Sequence, residues 1–94
     1  MENKQVENYL GIARKAGYTI IGGEKLENYQ KKLYLVLYDE SAQKNTIKIV
    51  EKLKEKNIPI QKVDNLASLI KIENCKIIGL KNKNLSDIIL SLLN

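Results

Sequence analysis

Six consecutive residues, Leu33-Tyr34-Leu35-Val36-Leu37-Tyr38, constrain this chain more than any other stretch. The run is apolar without alternation, so neither of its sides is suited to water. It is rich in β-formers and too short for a buried helix. A strand buried on both faces belongs in the middle of a sheet, with helices packed above and below it. Residues 33–38 are therefore the expected central strand. Leu35, Val36, Leu37, Ile47, Val50, Ile77 and Ile78 are expected deep in one core.

The remaining chain supplies the partners. Residues 5–16 read as helix one, with Val6, Tyr9, Leu10 and Ala13 at i, i+3, i+4 and i+7. Gly11 inside it costs about 1 kcal/mol relative to alanine, which implies a close approach by another element. Arg14 and Lys15 suit a helix C-terminus, and Gly17 suits the left-handed residue after it. Residues 19–21 form strand one and residues 24–31 a short helix two, with Leu26 and Tyr29 inward. Helix three runs from an N-cap at Ser41 to about residue 56. Ile47, Val50 and Leu53 line one side of it, and Lys44, Lys48 and Lys52 form a stripe on another that reads as a solvated face before it reads as a nucleic-acid contact. Asn57-Ile58-Pro59 ends it, because the residue before proline leaves the helical region. Residues 60–63 are strand three, residues 66–70 a brief helix capped by Asp64 or Asn65, residues 71–74 a loop, and residues 76–80 strand four. Asn84 with Asp87 resembles a capping box, and Leu85, Ile88, Ile89 and Leu92 give the last helix its stripe. Alternation at these spacings predicts an α/β fold, a four-stranded sheet between helix layers.

Ninety-four residues make one domain, taken as 1–94, with no linker, repeat or low-complexity tract. The chain carries no histidine, which removes the commonest general base and metal ligand. There is no metal-ligand cluster, no phosphate-loop lysine after the glycines and no base beside the lone Cys75. The reading is therefore no enzyme, no catalytic residue, no metal and no cofactor. A phosphocysteine carrier would want that thiol at a glycine-flanked helix start, whereas Cys75 precedes a strand and reads as a small buried hydrophobe. Asp39 and Glu40 stand at the carboxyl end of the central strand, where open α/β sheets bind ligands, but helix capping explains them more simply. No apolar run approaches the roughly 18 residues a membrane span needs. Met1 is followed by polar and acidic residues rather than a signal pattern, and the expected compartment is the cytoplasm. Sixteen basic residues against eleven acidic ones leave +5, a balance that favours a polyanionic partner.

One turn is suited to such a partner. Tyr18-Thr19-Ile20-Ile21 is followed by Gly22-Gly23, with Glu24 and Lys25 in the first turn of helix two. A glycine-flanked helix start presents N–H groups and lets a nucleic-acid backbone approach closely. The same geometry recurs in α/β domains that bind nothing.

The pattern Leu10-Gly11-Ile12-Ala13-Arg14-Lys15-Ala16-Gly17, followed after four intervening residues by Gly22, resembles the bacterial YlxQ-type branch of the kink-turn-binding ribosomal proteins, the archaeal ribosomal L-seven-Ae superfamily. Leu35-Val36-Leu37 followed by Asp39-Glu40-Ser41, and Asn57-Ile58-Pro59, are similar to later family features in order and spacing. The resemblance spans nearly the whole chain. It implies a three-layer α-β-α sandwich with a mixed sheet that binds a kinked RNA helix or ribosomal RNA. DNA and membranes are not expected partners, and a monomer is favoured. It implies RNA contacts at Gly22, Gly23, Glu24, Lys25, Asn28 and Lys31, and at Lys71 and Ile72 in a second loop. Glu24 stands where archaeal members have asparagine, Lys25 where they have glutamate, and Asn28 where they have lysine. A side chain at Gly22 is expected to damage RNA binding more than stability. The alternative reading is a protein-interaction module on the same fold with weakened or lost RNA binding.

Overall fold

The structure, a computed structural model, describes residues 4–94. The order is α1 (Lys4–Lys15), β1 (Thr19–Ile21), α2 (Gly23–Asn28), β2 (Leu35–Asp39), α3 (Lys44–Glu55), β3 (Ile60–Val63), α4 (Leu66–Ile70), β4 (Ile77–Leu80) and α5 (Lys83–Leu93). The strands form one sheet in the order β1-β4-β2-β3. β4 runs antiparallel to β1 and β2, and β2 runs parallel to β3, so the sheet is mixed. This is the expected α-β-α sandwich with β2 inside it. No helix of the described residues is long and apolar enough to cross a membrane.

Alternation along the strands divides the interior in two. Leu35 and Leu37 of β2, with Ile78 and Leu80 of β4, pack under α1, α4 and α5 against Val6, Leu10, Ala13, Leu66, Ile70 and Ile89. Val36 and Ile77 face the other way, onto Leu26 of α2 and Val50 and Leu53 of α3. The expectation of one shared core is thus corrected. Neighbouring residues of a doubly covered strand must enter different layers. Ile47 is only half-buried, because it sits toward the margin of the α3 stripe.

Several helix ends differ from the pattern-based reading. α2 stops at Asn28, three residues early, as Tyr29 turns to extended backbone with φ −78° and ψ 121°. α3 is entered from Gln43 rather than Ser41, because the Asp39 carboxylate has already captured the Ser41 N–H and hydroxyl. α5 is capped by Asn82, whose Oδ1 accepts the Leu85 N–H at 2.9 Å, and Asn84 lies inside the helix. Asn65, one of the two proposed caps, does cap α4. Gly11 faces open space, so no neighbour requires a glycine there.

The end of α1 follows the sequence closely. Gly17 is left-handed at φ 77°, its N–H meets the Arg14 carbonyl at 3.2 Å, and the Tyr18 N–H meets the Ala13 carbonyl at 2.8 Å. Those two bonds are a Schellman motif, and they launch the chain directly into β1.

Candidate nucleic-acid interface

The register decides which loops meet. Ile21 of β1 pairs with Ile78, and Tyr38 near the end of β2 pairs with Ile77, so the exits of β1 and β2 lie beside the entry of β4. β3 is parallel to β2 and exits at the same end. Gly22-Gly23, the Asp39-Glu40-Ser41 turn and the loop 71–76 therefore gather at one end of the sheet.

Gly22 is the junction between β1 and α2. Its N–H donates to the Ile77 carbonyl at 3.2 Å, which ties the turn to β4, and its own carbonyl receives the Leu26 N–H. The backbone there is at φ 100° and ψ 144°, a conformation reserved for glycine, and nothing stands within 4 Å of where a Cβ would be. Gly23 is the opposite case: a Cβ would lie 2.6 Å from the Ile49 Cδ1 of α3. One glycine is thus needed for the turn and leaves a bare outer surface, while the other lets α2 pack down. At this positive φ a valine would be strained, so Gly22→Val would disturb the fold as well as any contact made by the turn.

Glu24 and Lys25 are exposed in the first turn of α2. Asn28 is exposed one turn later, with its amide donating to the Glu24 carbonyl at 3.1 Å. In the second loop Lys71 is left-handed at φ 64° and Asn74 at φ 60°, so two ordinary residues take conformations for which glycine would be easier. Lys71 pairs with Glu7 of α1 at 2.6 Å. Ile72 is half-buried against the α1-α4-α5 side and its N–H donates to the Ala67 carbonyl, so its side chain serves packing. Lys31 stands apart from the others. The Tyr34 N–H bonds the Leu80 carbonyl, which puts the segment before β2 at the far end of the sheet, because α2 carries the chain back along the strands.

Asp39 holds this end together. Its Oδ1 accepts the Leu66 N–H at 2.7 Å, capping α4 rather than α3. Its Oδ2 accepts the N–H and hydroxyl of Ser41 and lies 3.8 Å from the Lys76 ammonium, which also donates to Ser41 Oγ at 2.9 Å. Burial raises this carboxyl, but the Ser41 hydroxyl, the Leu66 and Ser41 N–H groups and Lys76 outweigh it and hold it below the usual aspartate value. With its oxygens so engaged, Asp39 is a structural anchor. Lys76 was not among the residues singled out from sequence. It was read only as the first residue of strand four, which in the structure begins at Ile77, and the contact with Asp39 spans 37 positions of chain (76 minus 39).

Cys75 is buried beneath this surface with its Sγ 3.8 Å from the Ile77 carbonyl. Burial raises its thiol above the ordinary value, which suits a packing role rather than a nucleophile. No group of three or more histidine, cysteine, aspartate or glutamate residues among the described residues could hold a metal ion. The end as a whole is of mixed sign: Lys25, Lys71 and Lys76 alternate with Glu24, Glu40 and Glu73. It offers both hydrogen-bond acceptors and cations around a bare glycine turn.

The fold has counterparts among solved structures. A protein of unknown function from Bacillus halodurans C superposes with a TM-score of 0.81 at 25% identity, covering 97% of this chain and 98% of that one. The Giardia lamblia 15.5kD RNA binding protein superposes with a TM-score of 0.68 at 15% identity, covering 99% of this chain and 88% of that one. No protein-family model matches the sequence, nor does any curated protein.

Proposed function

We propose that this chain is a non-enzymatic RNA-binding protein of the kink-turn-binding ribosomal kind, contacting structured RNA through the Gly22-Gly23 turn and the start of α2. The observation that carries the reading is Gly22: a side-chain-free turn in a conformation that favours glycine, with open space where a Cβ would stand, fastened to β4 beside a second loop. The resemblance at residues 10–17 and Gly22 supports it, as does the likeness in fold to a Giardia protein described as RNA-binding. In this reading the RNA backbone passes over Gly22-Gly23, and Lys25 and Lys71 contact phosphates. Glu24 accepts hydrogen bonds from exposed base amino groups, since an ionised carboxylate only accepts. Asn28 and Ile72 border the contact.

The test is equilibrium binding to a kink-turn RNA and to the same duplex without the kink, at several salt concentrations. Lys25→Ala is expected to lower affinity for both RNAs and to flatten the salt dependence by about one unit of log–log slope, as one lost phosphate contact does. Glu24→Ala is expected to reduce the preference for kinked RNA with nearly unchanged slope, because base contacts carry specificity. Equal affinity of the parent for both RNAs refutes kink-turn reading. The protein-interaction alternative has one observation in its favour, the exposed Ile12 and Ile88 on the neighbouring helices α1 and α5. Absence of binding to either RNA would move the assignment there.

A further inference from the structure

The entries of β1, β2 and β3 and the exit of β4 form a second surface, at the end of the sheet opposite Gly22. The Lys81 N–H donates to the Tyr18 carbonyl at 2.8 Å, the Tyr34 N–H to the Leu80 carbonyl at 2.9 Å, and the Val36 N–H to the Pro59 carbonyl at 2.9 Å. These bonds string the four strand ends into one row. The loops and helix ends flanking that row carry Lys15, Lys31, Lys32, Lys54, Lys56 and Lys81. All but Lys81 are exposed, and none has a carboxylate within ion-pair distance among the described residues. The acidic side chains of this end are Glu27, Glu55 and Asp87, of which Glu27 is already held by Lys52 at 3.2 Å and Asp87 by Lys83 at 3.1 Å.

Attraction to the negative ends of α1 and α3 accounts for Lys15, Lys54 and Lys56 without any partner. It does not account for Lys31 and Lys32, which lie in the loop between α2 and β2, or for Lys81, which directly follows β4. Lys31, Lys32, Lys56 and Asn57 also border a single depression between the α2–β2 and α3–β3 loops. Lys32 lies over the Tyr34 ring, 5.2 Å from its centroid, and Tyr18 at the other side of the row is 39% exposed. Unneutralised ammonium groups with tyrosines and an amide among them match a phosphodiester backbone flanked by sugars and bases.

We infer that this lysine-rich end is a second nucleic-acid contact, taking the backbone of an RNA duplex without regard to sequence. The two ends of the sheet then have different tasks. The glycine end, of mixed charge, is suited to one RNA feature, and the lysine end to phosphate alone. Both lie within a molecule whose longest extent is 29 Å, so one chain would hold two RNA segments together.

The experiment is salt-dependent binding of the full chain to a plain RNA duplex lacking a kink. Lys31→Glu, Lys32→Glu and Lys56→Glu together are compared with a charge-matched control, Lys44→Glu, Lys48→Glu and Lys62→Glu, which removes exposed lysines elsewhere. The lysine-end triple is expected to bind about tenfold or more weakly, with a log–log slope shallower by about two to three units, and the control far less affected. Circular dichroism melting verifies the fold, and the corresponding lysine-to-glutamine triple replaces either set if the glutamates unfold it. Equal losses in both triples overturn the inference, as does a parent that ignores the plain duplex or one that binds only phosphatidylserine vesicles. The outcome is separable from that at the glycine turn: Glu24→Ala changes the kinked-to-plain ratio, whereas the lysine-end triple lowers plain-duplex affinity.

Discussion

Asp39 joins three elements through one carboxylate, and its chemistry makes the junction sensitive to acid. Because its folded pKa lies below the unfolded one, the unfolded chain binds more protons between the two values. The stabilisation is therefore complete above the unfolded aspartate value, about 3.9, and is lost as pH falls through the lower folded value. Asp39→Asn is expected to lower stability at neutral pH by about 1–3 kcal/mol and to remove this component of the acid loss. Denaturant melts of parent and variant between neutral and strongly acidic pH measure both effects. Identical acid limbs would show that Asp39 is not the group responsible. The second residue-scale expectation concerns Cys75, whose raised pKa and burial predict slow alkylation of the native protein and fast alkylation once unfolded. Cys75→Ala should leave any RNA binding within roughly 1 kcal/mol of the parent. Rapid native labelling with loss of binding would assign the thiol a role at the surface above it.

At the scale of the element, α2 is the piece on which the glycine-end reading depends. Six residues cannot sustain a helix in isolation, so its placement comes from packing. Leu26 is fully buried, and both Gly23 and Gly79 make room for the helix and its loop. A Cβ on Gly79 would collide with the Leu26 Cδ2 methyl and lie 3.2 Å from Leu33 Cδ2. Both partners are enclosed, so Gly79→Ala is expected to cost about 1–3 kcal/mol by overpacking and to displace α2. Gly23→Ala presses only on the terminal methyl of half-buried Ile49, which can rotate, and should cost less. Thermal melts order the two variants. The reverse order would mean that α2 docks through α3 rather than over β4.

For the whole molecule, the decisive property is that β2 serves two cores at once. Leu37 lies in the α1-α4-α5 layer with no exposed surface, and its truncation should cost about 2–5 kcal/mol in a cooperative melt. A variant that melts like the parent would contradict the central position of β2. The same sheet separates the mixed-charge glycine end from the lysine end, because every strand connection must leave at one end or the other.

Much of this architecture was legible because it rests on local patterns. The apolar run containing β2, the stripes of α1, α3 and α5, the Gly17 cap and the stop at Asn57-Ile58-Pro59 are each set by residues a few positions apart, where periodicity and backbone preference act. What pairing across the chain decides was not legible. Asp39 caps α4 instead of α3 because Leu66 arrives beside it only when β3 pairs with β2. Lys76 joins that network through a register no local pattern encodes. Lys31 looked like a neighbour of Gly22, nine positions away in sequence (31 minus 22), yet strand direction carries it to the opposite end. The sequence by itself determined the elements and the layers, since hydrophobic period and turn chemistry are short-range. Only the tertiary structure decided which loops share an end of the sheet, because strand order and direction are chosen by the whole core.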